Sequence, residues 1–277
     1  MYISRPIAFV TLFFIVTLFL QFTMYTKSAC IIIHGTWAKD ESWYQPEGDF
    51  FKALQSSALE LKIVDEIVPF QWSGKLGYQS QLRAAQNLEK IISMYDEVIL
   101  VGHSHGVTVG ILASMILSKN VSHKNNCFKI NKFYALGVPV DSTGTIFPDM
   151  SVIGTFYNLF SFGDYVQPVN LAFQRCFNCS ERMVNISVLL RNEYPTHGDL
   201  HHPCIAQHLL KIEDYFSEKK LGNFENFSCK LPGIVYFYEY ELPRYEIDHD
   251  QKRLIELDKK VHWLVTMAFF KNKKNDD

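Results

Sequence analysis

Val98-Ile99-Leu100-Val101-Gly102-His103-Ser104-His105-Gly106-Val107-Thr108-Val109-Gly110-Ile111-Leu112-Ala113 is the stretch on which the reading of this chain turns. An apolar run, a five-residue Gly-x-Ser-x-Gly turn and a second apolar run predict a buried strand, a sharp turn and a buried helix. In that setting the glycines have a steric reason, because the turn leaves no room for side chains two residues before or after the serine. The serine is held strained, with its hydroxyl presented outward. Ser104 is therefore the candidate nucleophile.

Outward from this turn, short apolar runs alternate with helix-length periodic segments. The pattern predicts an α/β domain with a mostly parallel sheet and helices on both faces. Strands are expected at 30–34, 63–69, 97–102, 131–137, 152–160 and 184–191, and helices at 48–58, 77–94, 105–118 and 202–217. In 77–94, Leu82, Ala85, Leu88, Ile91 and Ile92 form an apolar stripe continued by Tyr95, while Gln79, Arg83, Asn87 and Lys90 take the opposite face. Beyond 218 the chain turns polar, then runs Gly233-Ile-Val-Tyr-Phe-Tyr-Glu-Tyr, then becomes a charged helix-like segment near 249–270. That tail either adds a strand and helix or covers the mouth of the site.

The chain has 277 residues, 48% apolar and 20% charged, which suits one large α/β domain. A net charge of −2 with no basic stripe argues against a nucleic-acid partner. From Pro6 to Tyr25 no charged residue occurs, and the run is bracketed by Arg5 and Lys27. It is longer than a usual signal core and lacks an Ala-x-Ala-like site, so an uncleaved N-terminal membrane anchor is expected over 1–28. Secretion after signal cleavage is the alternative. Residues 29–277 then form the domain, with 218–277 as an extension packing on it.

The six cysteines, Cys30, Cys127, Cys176, Cys179, Cys204 and Cys229, are compatible with an oxidising compartment, and the four within 176–229 with one or two bridges. Cys176-x-x-Cys179 has no second pair at zinc-ribbon spacing and does not open a helix in a thioredoxin-like unit, so metal and redox readings are weak. Asn120, Asn178, Asn185 and Asn226 stand in Asn-x-Ser sequons, which matter only in a host that glycosylates.

Cys30-Ile31-Ile32-Ile33-His34-Gly35-Thr36-Trp37 is a strand ending in His-Gly. Backbone N–H groups in such a glycine-loosened loop stabilise a developing oxyanion without a positive charge. With a serine nucleophile at 104, the donors are the N–H groups of Thr36 and His105. Taken together, His34-Gly35-Thr36-Trp37 after the first strand, the Gly102–Gly106 elbow and Gly137-Val138-Pro139 after the next strand resemble the α/β-hydrolase family, its lipase and esterase branch in particular. The resemblance covers roughly 29–217. It implies an α/β-hydrolase-like sheet, preceded here by the N-terminal hydrophobic helix, and the chain order serine, acid, histidine.

On that order, Asp164 in Ser161-Phe162-Gly163-Asp164 looks like the family's acid, with Asp141 and Asp149 as rivals. The base lies in Thr196-His197-Gly198-Asp199-Leu200-His201-His202-Pro203. His197 is earliest in the loop, and His201 and His202 remain alternatives. The resemblance implies hydrolysis of a small-molecule or lipid ester, with no metal and no organic cofactor. A thioesterase or amide hydrolase would use the same groups, and a non-catalytic binding protein of the same fold is the reading from another class. Trp37, Trp43 and Trp72 would line a pocket or, more simply, fill the core.

Overall fold

The computed structural model describes residues 26–120, 129–141, 144–167, 173–177, 182–190 and 193–212, together with the backbone of 225–228 and 234–239. The expected anchor at 6–25, the segment near 249–270 and the last part of the expected helix 202–217 lie outside the described residues. So do Cys127, Cys179, Cys229 and Asn178. Among the described residues no helix is long and apolar enough to cross a membrane.

Among the described residues, ten strands and four α-helices follow one another in the order β1 (Ser28–Ile33), α1 (Asp49–Leu61), β2 (Glu66–Phe70), α2 (Tyr78–Ile92), β3 (Glu97–His103), α3 (His105–Asn120), β4 (Ile130–Leu136), β5 (Val140–Asp141), β6 (Ile153–Phe160), β7 (Phe173–Gln174), β8 (Met183–Leu190), α4 (Pro203–Leu209), β9 (Glu225–Ser228) and β10 (Ile234–Glu239). Eight of the strands form one sheet in the order β2-β1-β3-β4-β6-β8-β10-β9, and β5 pairs with β7 separately. From β2 to β8 every pairing is parallel, whereas β10 lies antiparallel to β8 and to β9. The expected α/β class and mostly parallel sheet are present.

Both faces of the sheet are covered. Ile31 and Ile33 join the core beneath α2 and α3, while Cys30 and Ile32 point into the core beneath α1 and α4. A strand buried on both faces has no polar side to show, which is why β1 and β3 read as continuous apolar runs. Pro69 is accommodated because β2 is an edge strand, with only one side in the ladder.

Boundaries differ from the expected ones where local backbone decides. Helix α1 runs one turn further, to a left-handed Lys62 at φ 52°, and β2 starts correspondingly later. Strand β4 stops at Leu136 because Gly137 turns away at φ 61°. The tail's Ile-Val-Tyr-Phe-Tyr-Glu segment is β10, and β9 was not foreseen.

Asn185 corrects a sequon reading. It is fully buried, donating to the Phe177 carbonyl at 2.7 Å and accepting from Asn158 Nδ2 at 2.8 Å, so no glycan can be attached there. Cys30 is a buried free thiol whose pKa burial pushes up to about 12, which leaves it inert at neutral pH.

Candidate active site

Parallel strands all end on the same edge of a sheet, so the loops leaving β1, β2, β3, β4, β6 and β8 meet there. Ser104 lies at the tip of the β3–α3 turn with φ 53°, a left-handed conformation that side chains adopt at a cost of order 1–3 kcal/mol. Close packing around the elbow explains its glycines. A Cβ on Gly106 would sit 2.5 Å from the carbonyl oxygens of Ile33 and His34, and one on Gly102 would sit 3.0 Å from the Val107 backbone. The Ser104 N–H donates to the Leu136 carbonyl at 2.8 Å, fixing the turn against the end of β4.

The β6 and β8 loops bring the acid and the histidine together. Gly163 lies directly against the Tyr194 carbonyl, an approach only glycine permits. Asp164, fully buried, accepts from His197 Nδ1 at 2.7 Å through Oδ2. Its Oδ1 accepts from the Val166 and Gln167 N–H groups at 2.8 and 3.2 Å, and Arg175 donates to its backbone carbonyl at 2.7 Å. A carboxylate held from so many sides fixes the ring it faces. With Nδ1–H given to the carboxylate, Nε2 is the basic nitrogen of His197. Gly137, the residue after Leu136, is packed against this pair, and a Cβ there would sit 3.1 Å from Asp164 Oδ2 and 3.2 Å from His197 Nδ1. The serine turn and the Asp164–His197 pair thus rest on adjacent residues at the end of β4.

The rival residues have other contacts. Asp141 Oδ2 accepts from the Thr145 and Ile146 N–H groups at 3.0 and 3.1 Å, tying its own turn. Asp149 Oδ1 accepts from the N–H and hydroxyl of Ser151. His201 stacks on Trp43 at 4.4 Å between ring centroids, within 7° of parallel. His202 is the N-cap of α4, where its Nδ1 accepts from the Cys204 N–H.

Around His197, burial disfavours the charged form of three other imidazoles. Burial, reinforced by the neighbouring His197 and His201, holds His103 well below the ordinary imidazole value. Burial likewise brings His105 and His201 to about 4. His103 Nε2 donates to the His197 carbonyl at 2.9 Å and so helps to hold the loop bearing that ring.

On the oxyanion side, a Cβ on Gly35 would lie 3.0 Å from Ser104 Cβ, so the loop after β1 passes close over the serine. His34 is fully buried, its Nδ1 donating to the Gly35 carbonyl and its Nε2 accepting from the Trp72 N–H. The Thr36 hydroxyl is buried with no hydrogen-bond partner among the described residues. His105 is the first residue of α3, where the backbone N–H has no helical acceptor.

Gln81 was missed by the sequence reading. It is buried on α2 and its Nε2 donates to His105 Nδ1 at 3.1 Å. Its spacing was a signal, since Gln81 stands four residues before Ala85 on the apolar stripe, where an amide needs a partner. Of the three tryptophans considered, Trp43 and Trp72 are buried and Trp37 is 67% exposed. Among the described residues no three His, Cys, Asp or Glu side chains gather as metal ligands would.

No protein-family model matches the chain, and no curated protein does. Among solved structures it is similar to RedJ, a structure with a polyethylene glycol molecule bound in the active site, at 13% identity and a TM-score of 0.29. The match covers 42% of this chain and 44% of that one, and so low a score carries no argument about fold or function.

Proposed function

We propose that this protein is a serine hydrolase of the α/β-hydrolase family that cleaves carboxylic esters of small molecules or lipids. The observation carrying the proposal is the 2.7 Å contact between His197 Nδ1 and buried Asp164, set against the same end of β4 that holds strained Ser104. The strand order supports it, since the serine leaves a central strand, the oxyanion loop its neighbour on one side, and the acid and histidine strands beyond β4 on the other.

In this reading Ser104 Oγ attacks the ester carbonyl while His197 Nε2 takes its proton, and Asp164 stabilises the imidazolium that results. The N–H groups of Thr36 and His105 receive the oxyanion. The unpartnered Thr36 hydroxyl is a further donor on the same loop. His197 then returns the proton to the leaving alcohol, and water, activated by the same ring, releases the acyl group and restores Ser104. No step draws on a metal or organic cofactor. The proposal includes attachment to a membrane through residues 6–25.

A fluorophosphonate probe on the full-length chain, with mass-spectrometric mapping of the adduct, tests the chemistry. The expected result is labelling at Ser104 that disappears in Ser104→Ala and His197→Ala. A folded wild-type protein that takes up no label would remove the hydrolase reading.

A further inference from the structure

Beside the candidate site, where β2 ends and α2 begins, lies a cavity of about 690 Å³. Phe70, Trp72, Leu76 and Tyr78 give it an apolar wall, and Lys75 and Arg83 bring two positive charges to it. No Asp or Glu lines it, and among the described residues neither charge has a carboxylate partner. The Arg83 guanidinium donates from Nε to the Gln79 carbonyl at 3.3 Å. Two cations lining one cavity without counter-charge among the described residues, beside exposed apolar side chains, form a surface whose complement is an anion carried on an apolar body. Leu76 and Tyr78 are both more than half exposed, so the apolar wall is open to such a body.

The cavity is tied to the candidate site through its walls. Trp72 donates from N to His34 Nε2 and from Nε1 to the His34 carbonyl, at 3.2 and 2.8 Å. The Gly74 carbonyl accepts from the Trp37 N–H at 2.9 Å, which bonds the cavity loop to the loop over Ser104. Strand β2 is two places from β3 in the sheet, a lateral offset of about 10 Å. A substrate with an ester at one end and an anionic group a medium-length chain away can reach both positions.

We infer that this cavity binds the anionic end of an amphipathic ligand, a carboxylate or phosphate on an apolar chain, between Lys75 and Arg83. Resting on the hydrolase reading, this makes the preferred substrate an ester whose acyl or alcohol part ends in an anion.

The cavity and the chemistry are tested separately. Calorimetric titration of the full-length Ser104→Ala protein with decanoate, decyl phosphate and neutral decanol measures binding without turnover. Both anions, or one of them, are expected to bind about tenfold more tightly than the alcohol, and the preference should shrink about tenfold in Lys75→Gln/Arg83→Gln and with added salt. Which anion binds better identifies the head group. Equal binding of all three compounds, or an anion preference untouched by the double variant, would overturn the inference. Hydrolysis of the 4-nitrophenyl half-ester of decanedioate against 4-nitrophenyl decanoate then addresses the substrate, a lower KM for the anionic ester being expected. A neutral-ester preference overturns the substrate assignment. Anion binding with neither ester hydrolysed would leave the cavity standing and remove the hydrolase reading.

Discussion

At the edge of the sheet where the parallel strands begin, polar residues pair with one another in solvent. Lys27 bridges to Glu66 at 3.1 Å, its backbone N–H reaches Asp96, Ser28 bonds Asp65 and Asn131 bonds Glu97. At the opposite edge Ser104, His103, Asp164 and His34 are buried, and their bonds run between loops from different strands. Exposed pairs exchange water for protein contacts at little net gain, whereas a buried polar group left unmet costs several times more. The first edge closes the fold with interchangeable contacts. The second is over-determined, and Ser104 keeps a costly backbone conformation within it.

That contrast is broken most severely at Ser104. Glycine takes φ 53° without penalty, so Ser104→Gly should abolish probe labelling while raising stability by about 1 kcal/mol. Probe labelling of the intact and variant protein checks the first half, and their urea unfolding the second. A variant that loses label and stability together would mean the residue is structural. Next in size is Asp164→Asn, which keeps the volume but replaces the acceptor facing His197 Nδ1. The ring is then free to take the wrong tautomer, and a fall in labelling rate of about 10⁴-fold is expected. A loss of tenfold or less would show that Asp164 orients nothing.

The fold was legible because each central strand is an apolar run bounded by turn residues, and the Gly-x-Ser-x-Gly turn fell where a strand meets a helix. Asp164 stood out as a candidate acid from its Gly-containing loop, although the close packing of Gly163 on Tyr194 beside its contact with His197 could not be read there. Among the histidines at 197, 201 and 202 the sequence favoured His197 only by its early place in the loop, since the three differ through partners distant in the chain. One faces Asp164, one stacks on Trp43 and one caps a helix. Asn185 shows the opposite failure, a local motif overruled by burial. The tail resisted because Ile234–Tyr238 is apolar on both faces, so alternation could not indicate which strand it would join.

The buried edge also predicts an acid sensitivity. His105 and His201 titrate near 4 in the folded protein, against about 6.5 for an unfolded histidine. Between those values the unfolded chain binds the extra protons, so stability present at pH 7 is lost as pH falls from about 6.5 toward 4. For each ring the full difference is on the order of 3 kcal/mol. His201→Phe keeps an aromatic ring against Trp43 and removes one titration, so its urea midpoint should fall less steeply over that range than that of the wild type. Parallel slopes would assign the acid loss elsewhere.

The smallest effect belongs at the first edge, and its smallness is the point. Lys27 makes the most contacts there, with its ammonium on Glu66 and 4.6 Å over the Tyr95 ring. Its pKa is raised, first by the Glu66 contact, but the side chain stays in solvent and ions screen the pair. The anchoring contacts of its backbone, whose N–H donates to the Asp96 carboxylate and whose carbonyl accepts from the Asp96 and Glu97 N–H groups, survive truncation of the side chain. Lys27→Ala should therefore leave the thermal midpoint and the labelling rate of Ser104 essentially where they were, at low and high salt alike. A marked fall in either would show that the two edges are coupled through β1, and that the exposed pairs help to hold the strained turn at its far end.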